Sequence, residues 1–203
     1  MLSLILTTIT ISIMLLLAVF VYLANPSGKT NRYFALFVAF LSLFITCNFL
    51  ENEPSIVGLD NLDVFLRLDF FFALLMFYAW MRFAYIFSQY KIKLFETNWF
   101  FPSIFGIGLV LGYLSLFTDL ILKDIRFEEN IIAFSDGSLW AIYALFILGP
   151  SIAGLVFLYL GKRAARKRND SVTMQQINLV FIGFFVALGN LIFINLIADI
   201  FPD

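Results

Sequence analysis

Residues 2–24 read LSLILTTITISIMLLLAVFVYLA, 23 positions without a charged side chain. A bilayer core about 30 Å thick is crossed by roughly 20 helical residues, so this stretch is long enough to span. It is too long for the apolar core of a signal peptide, no basic residue precedes it, and no small-x-small cleavage site follows. We read it as a retained transmembrane helix ending at Asn25-Pro26. Working outward, further apolar blocks follow at 32–50, 64–87, 98–117, 138–161 and 172–201. Their runs are continuous and do not alternate, which excludes the strands of a membrane barrel, each about 9 to 11 residues of alternating polarity. The whole chain agrees: 62% of its 203 residues are hydrophobic and 13% are charged, against about 25% charged in soluble domains. Mean hydropathy is +0.96. The expected fold is one all-α domain over 1–203, a polytopic transmembrane helical bundle of about six spans.

The third block is the weakest span, because Arg67, Asp69 and Arg82 interrupt it. It crosses only if its two ends reach toward polar headgroups. Lys and Arg in the connections set orientation, since cytoplasmic loops carry the excess. Lys29 and Arg32 follow the first span, Lys91 and Lys93 the third, and Lys162, Arg163, Arg166, Lys167 and Arg168 the fifth. The segment from Glu51 to Asp63 has neither Lys nor Arg, and the one from Thr118 to Gly137 sets Lys123 and Arg126 among acidic residues. The amino terminus is therefore expected outside, in the cytoplasmic (inner) membrane of a cell. The run from Lys162 to Arg168 reads as a cytoplasmic anchor in a loop. Within 118–137, Ile125-Arg126-Phe127-Glu128 alternates, Glu129-Asn130 offers a turn, and Ile132 and Phe134 return, which predicts an extracellular hairpin. Asp136-Gly137-Ser138 supplies turn chemistry and an N-cap for the fifth span.

Several function classes are excluded by composition. There is no histidine and Cys47 is the single cysteine, so the ligands that zinc, copper and iron sites mostly need are missing. Cys/His and Ser-His-Asp catalysis fall for the same reason. A net charge of -1 gives no basic field for nucleic acid, and no GxxxxGK[ST] motif occurs for nucleotides. We expect no enzyme, metal or cofactor.

Charges at membrane depth are costly, on the order of 2.5 to 3.5 kcal/mol each at a helix centre, so each needs an account. Asp69 lies about 9 Å below the start of the third span, at roughly 1.5 Å per residue. Arg67 is about 200° around the helix from it and meets Asp63 at i, i-4, a structural ion pair. Asp69 is left to find partners on other helices, and Asn48, Asn195 and Asp199 at the outer ends of the second and sixth spans are the candidates. Asn195 and Asp199 share one face, so the four residues outline an outward polar pocket for a ligand or ion. The competing reading makes Asn48 and Asn195 interhelical hydrogen-bond glue and Asp199 an interfacial residue. Gly108 and Gly112 mark close helix packing, and Gly149-Pro150 marks a kink.

The order of features resembles a known region. Asn25-Pro26 closes the first span, Asn31-Arg32 and Phe34-Ala35 open the second, and Asp136-Gly137 precedes the fifth. Gln176-Ile177, Asn195-Leu196-Ile197 and Pro202 lie along the sixth. This is similar to the N-terminal seven-helix membrane sensor region of bacterial histidine kinases, along nearly the whole chain. The second span departs from that pattern, lacking a tryptophan between Phe44 and Phe49. The resemblance implies a signal-sensing module of a two-component system, with a seventh helix or cytoplasmic signalling domain as a further partner. The kinase output itself is absent here, since no histidine is available as phosphoacceptor. The other expected partners are the lipid bilayer, an extracellular or membrane-borne stimulus and a second copy of the chain. The alternative function is a small-solute or ion-coupled transporter, with Asp69 and Asp199 on its route.

Overall fold

The computed structural model describes the backbone of residues 2–58, 61–128 and 131–200 and the side chains of 4–53, 55–58, 61–126 and 133–185. In order along the chain these form α1 (Leu2–Ala24), α2 (Lys29–Glu51), the short α3 (Pro54–Val57) and α4 (Leu62–Phe87). After a 3-10 turn at Lys93–Glu96 come α5 (Phe100–Phe117), β1 (Leu122–Glu128), β2 (Ile131–Asp136), α6 (Trp140–Lys167) and α7 (Ser171–Ile200). Among the described residues, five helices, α1, α2, α4, α5 and α6, are long and apolar enough to cross a membrane, and α7 runs 30 residues. The chain is an all-α bundle of multi-pass membrane type with one small hairpin at one end.

α4 occupies the centre, packed against α2, α5 and α6, with the α2–α4 pairing the most extensive. It is also the least apolar of the five spanning helices. Those two facts explain each other. A helix surrounded by protein does not have to dissolve in lipid, so it is the one span that tolerates Arg67, Asp69 and Arg82. Its buried residues, from Leu66 and Asp69 through Leu74, Met76 and Trp80 to Ala84, cover every side of the helix. α1 is the opposite case. Its one extensive helix contact among the described residues is with α2, and Ile13, Phe20 and Leu23 lie exposed toward what a bilayer would fill. Asn31 ties its end to α2, donating Nδ2 to the Val21 carbonyl oxygen at 2.6 Å.

The ends of the bundle differ in chemistry. At one end β1 and β2 pair antiparallel, with Arg126 opposite Ala133, Phe127 opposite Ile132 and Glu128 opposite Ile131. The alternation at 125–128 thus forms a strand as expected, while the turn residues Glu129 and Asn130 lie outside the described residues. A register shift between Lys123 and Arg126 bulges β1, with Asp124 at φ 50. Gly137 sits where a Cβ would strike the Leu120 carbonyl, so its backbone closes the hairpin base by donating to Ile121 O at 2.9 Å. Ser138 does not cap α6, contrary to the sequence reading. The helix starts later, with Leu139 at the N-cap position and no side-chain cap, because Asp136 is held in β2 and Gly137 in the hairpin base.

At the opposite end, the basic run is not a loop. α6 continues through Lys167, so Lys162, Arg163, Arg166 and Lys167 extend the helix and only Arg168 begins the connection. The solvated helical turn keeps its ladder, since basic side chains favour a helix C-terminus. Asn169 at φ 54 then turns the chain, and Asp170 caps α7 by accepting from Thr173 N at 3.0 Å and Thr173 Oγ1 at 2.6 Å. Those two donors hold the Asp170 carboxyl below the usual carboxylate range.

Aromatic rings fill the interior. Trp80 of α4 is seated on Gly154 of α6, where any Cβ would meet its indole; it stacks on Phe184 at 4.9 Å and donates Nε1 to Ser151 O at 3.4 Å. Gly108 and Gly112 of α5 likewise receive the rings of Phe146 and Phe71. The small-residue step therefore seats aromatic side chains from α6 and α4, a different use from the backbone-to-backbone approach that the spacing suggests.

Candidate functional site

Buried polar side chains are few among the described residues, and the two buried acids lie toward the hairpin end of α2 and α4. Asp69 is 6% exposed and Glu51 7% exposed. Each stands on a helix face turned inward, Glu51 at the end of α2 and Asp69 in the first turns of α4, the two helices with the most extensive contact. Cys47, one turn before Glu51 on α2, is also buried. Asn48 donates Nδ2 to Glu51 Oε1 at 3.1 Å. Beyond that bond, Asp69 Oδ1 and Glu51 Oε2 are both shut from solvent without a hydrogen-bond partner among the described residues. The nearby Tyr143 hydroxyl gives its proton to the Phe70 carbonyl at 3.0 Å and so has none for Asp69.

Arg67 does not neutralise this pair. Its Nε donates to Asp63 Oδ1 at 2.8 Å, the i, i-4 ion pair expected from spacing. Its Nη2 reaches Asp119 Oδ1 at 2.7 Å, and Nη1 donates to the carbonyls of Ser115 at 3.0 Å and Thr118 at 2.7 Å. Arg67 is thus spent on the C-terminal end of α5. A cavity of about 600 Å³ opens beside it, lined by Asp63, Arg67, Thr118 and Asp119.

The expected pocket is therefore revised in two respects. Asn48 partners Glu51 and makes no hydrogen bond to Asp69. Glu51, which the sequence reading assigns to an outer loop, is the second buried acid, because α2 runs through it. Its signal in the sequence is the i, i+4 step from Cys47 and the i, i+3 step from Asn48, which put all three on one side of a helix carried one residue further. The side chains of Asn195 and Asp199, the expected second wall, lie outside the described residues. No group of three or more metal-capable side chains forms among the described residues.

At the other end of α4 stands Arg82. Its guanidinium lies over the Phe101 ring, 3.9 Å from the centroid, and 5.2 Å from that of Tyr33. Its Nε is buried without a partner among the described residues. Gln175 and Gln176, by contrast, are exposed on the first turns of α7, as solvated end residues. No protein-family model, curated protein or solved structure matches this chain.

Proposed function

We propose that the chain is a signal-sensing module of the cytoplasmic membrane, with its amino terminus outside and the Glu51–Asp69 pair as its input site. One observation carries the reading: two buried acids on packed helices each keep an oxygen with no donor among the described residues. Burying a polar group without a partner is costly, so this site is completed by something the described residues do not supply. A proton or a cation entering from the hairpin end meets that need. Because the pair bridges α2 and α4, the most extensive helix contact in the bundle, filling it biases the packing of the central helix. A ligand that binds one packing better than another is a signal input in the thermodynamic sense.

The competing transporter reading needs a polar route onward from Asp69. The buried α4 residues beyond it, Ala73, Leu74, Leu75, Met76, Ala79, Trp80, Met81, Phe83 and Ala84, are nearly all apolar, which favours sensing. Resemblance to the sensor region of bacterial histidine kinases supports the same reading and supplies the output, a cytoplasmic signalling domain reached through a further helix. We assign the chain no catalytic step. The test is thermal unfolding in neutral detergent across pH and across sodium, potassium and ammonium salts. The wild type shifts its midpoint with one of these, Glu51→Gln and Asp69→Asn lose the shift, and proteoliposomes show only background flux. Ion flux abolished by Asp69→Asn would make the chain a carrier.

A further inference from the structure

We propose that the cavity at the basic end of α4 binds a phosphate-bearing anion, with Arg82 as its enclosed charge. The cavity measures about 710 Å³ and is lined by three cationic side chains, Lys29, Arg82 and Lys91, from the start of α2, the last turns of α4 and the segment after it. Gln89, Tyr90 and Asn98 add polar groups to its wall. Glu96 is the single acid in the lining, and it stands 3.7 Å from Lys91, leaving two positive charges without a counterpart there.

Arg82 makes this more than a solvated basic surface. A guanidinium offers five N–H donors in a planar fork and stays charged throughout the protein's working range. None of the five donates to a protein acceptor among the described residues, and Nε is buried without a partner. The Tyr33 and Phe101 rings attract the cation through their faces and fix its plane, but offer no in-plane acceptor. The buried Nε has no acceptor among the described residues, and a phosphate oxygen pair can serve it and a neighbouring Nη together through two parallel N–H bonds. The basic residues of α6 form no such enclosure: Lys162, Arg163, Arg166 and Lys167 all lie exposed. The site sits where α4 would leave the bilayer, at the level of phospholipid headgroups, and a free phosphate carries the same recognised group.

Three additives to the detergent-purified chain separate the sources: short-chain phosphatidylglycerol in mixed micelles, diacylglycerol of equal chain length, and inorganic phosphate at constant ionic strength set with chloride. The expected result is a saturable rise in unfolding temperature with phosphatidylglycerol, with inorganic phosphate, or with both, and none with diacylglycerol. Response to the lipid alone assigns a headgroup; response to phosphate assigns the group itself. Arg82→Gln weakens the apparent affinity about tenfold or more, while Arg163→Gln on the exposed run leaves it unchanged. Should Arg82→Gln fail to fold, Lys91→Gln at a surface position serves instead and weakens binding by about threefold. The proposal fails if neither phosphate source stabilises the wild type, if diacylglycerol does so equally, or if the charge-removing variant that folds binds as the wild type does.

Discussion

Gly154 and Gly149 lie close together on α6 and face opposite circumstances. A methyl group on Gly154 would enter the Trp80 indole, whereas one on Gly149 meets nothing within 4 Å. Trp80 cannot step aside, being 3% exposed and stacked between helices. Gly154→Ala should therefore destabilise the bundle by about 1 to 3 kcal/mol, the usual cost of overpacking. Gly149→Ala should be close to neutral, within about 1 kcal/mol, since the entropy gained by removing a glycine is offset by crowding of the new Cβ against the following Pro150 ring. Thermal unfolding followed by tryptophan fluorescence checks both, and equal midpoints for the two variants would remove Trp80 from its seat. Both glycines are visible in the sequence, but which of them receives a ring is not. That depends on the rotation of α4 against α6, a quantity no local pattern records. The same holds for Asp69 and Glu51. Depth along a helix gives Asp69 its interest from spacing alone, while Glu51 looks like an ordinary loop acid until α2 is seen to continue through it.

Among elements, the junction of α4, α5 and the hairpin rests on Arg67. The last carbonyls of a helix have no partner within it, and Arg67 supplies donors to Ser115 and Thr118 at the α5 terminus, where positive charge is also favoured by the helix dipole. Asp63 and Asp119 are half-exposed or more, so their ion pairs contribute little beside the carbonyl bonds. Arg67→Lys should cost about 1.5 to 3 kcal/mol and recover little of the loss seen in Arg67→Met, since an ammonium cannot span acceptors that lie around a planar fork. Unfolding midpoints of the two variants measure it; full rescue by Lys would mean that charge alone holds the junction. Spacing identifies the Asp63 partner, because i, i-4 contacts are built into every helix. The α5 carbonyls come from a distant part of the chain and are not legible that way. The hairpin is an intermediate case: its alternation, turn residues and register are readable locally, yet the same local reading misplaces the α6 start, because Asp136 and Gly137 are claimed by the hairpin.

For the molecule as a whole, the sided distribution of Lys and Arg predicts that the hairpin end faces outward. Cysteine labelling with a membrane-impermeant maleimide tests this, with buried Cys47 first replaced by serine. Ser55→Cys should label on intact cells, and Arg168→Cys only after permeabilisation; the reverse would move the proposed input site to the wrong side. Ala165 is unsuitable as a reporter, because its side chain is fully buried and silence there would report packing. Composition and hydropathy are enough to establish apolar surroundings and a helical class. Hydropathy adds residue by residue along a span, and a chain in lipid must satisfy its backbone within each helix. Helix packing is what puts the span with charges in its interior, α4, at the centre, buries Glu51 as well as Asp69, and lays the Phe101 ring against Arg82. Each of those follows from which helix faces meet, and that is set by contacts between residues far apart in the chain.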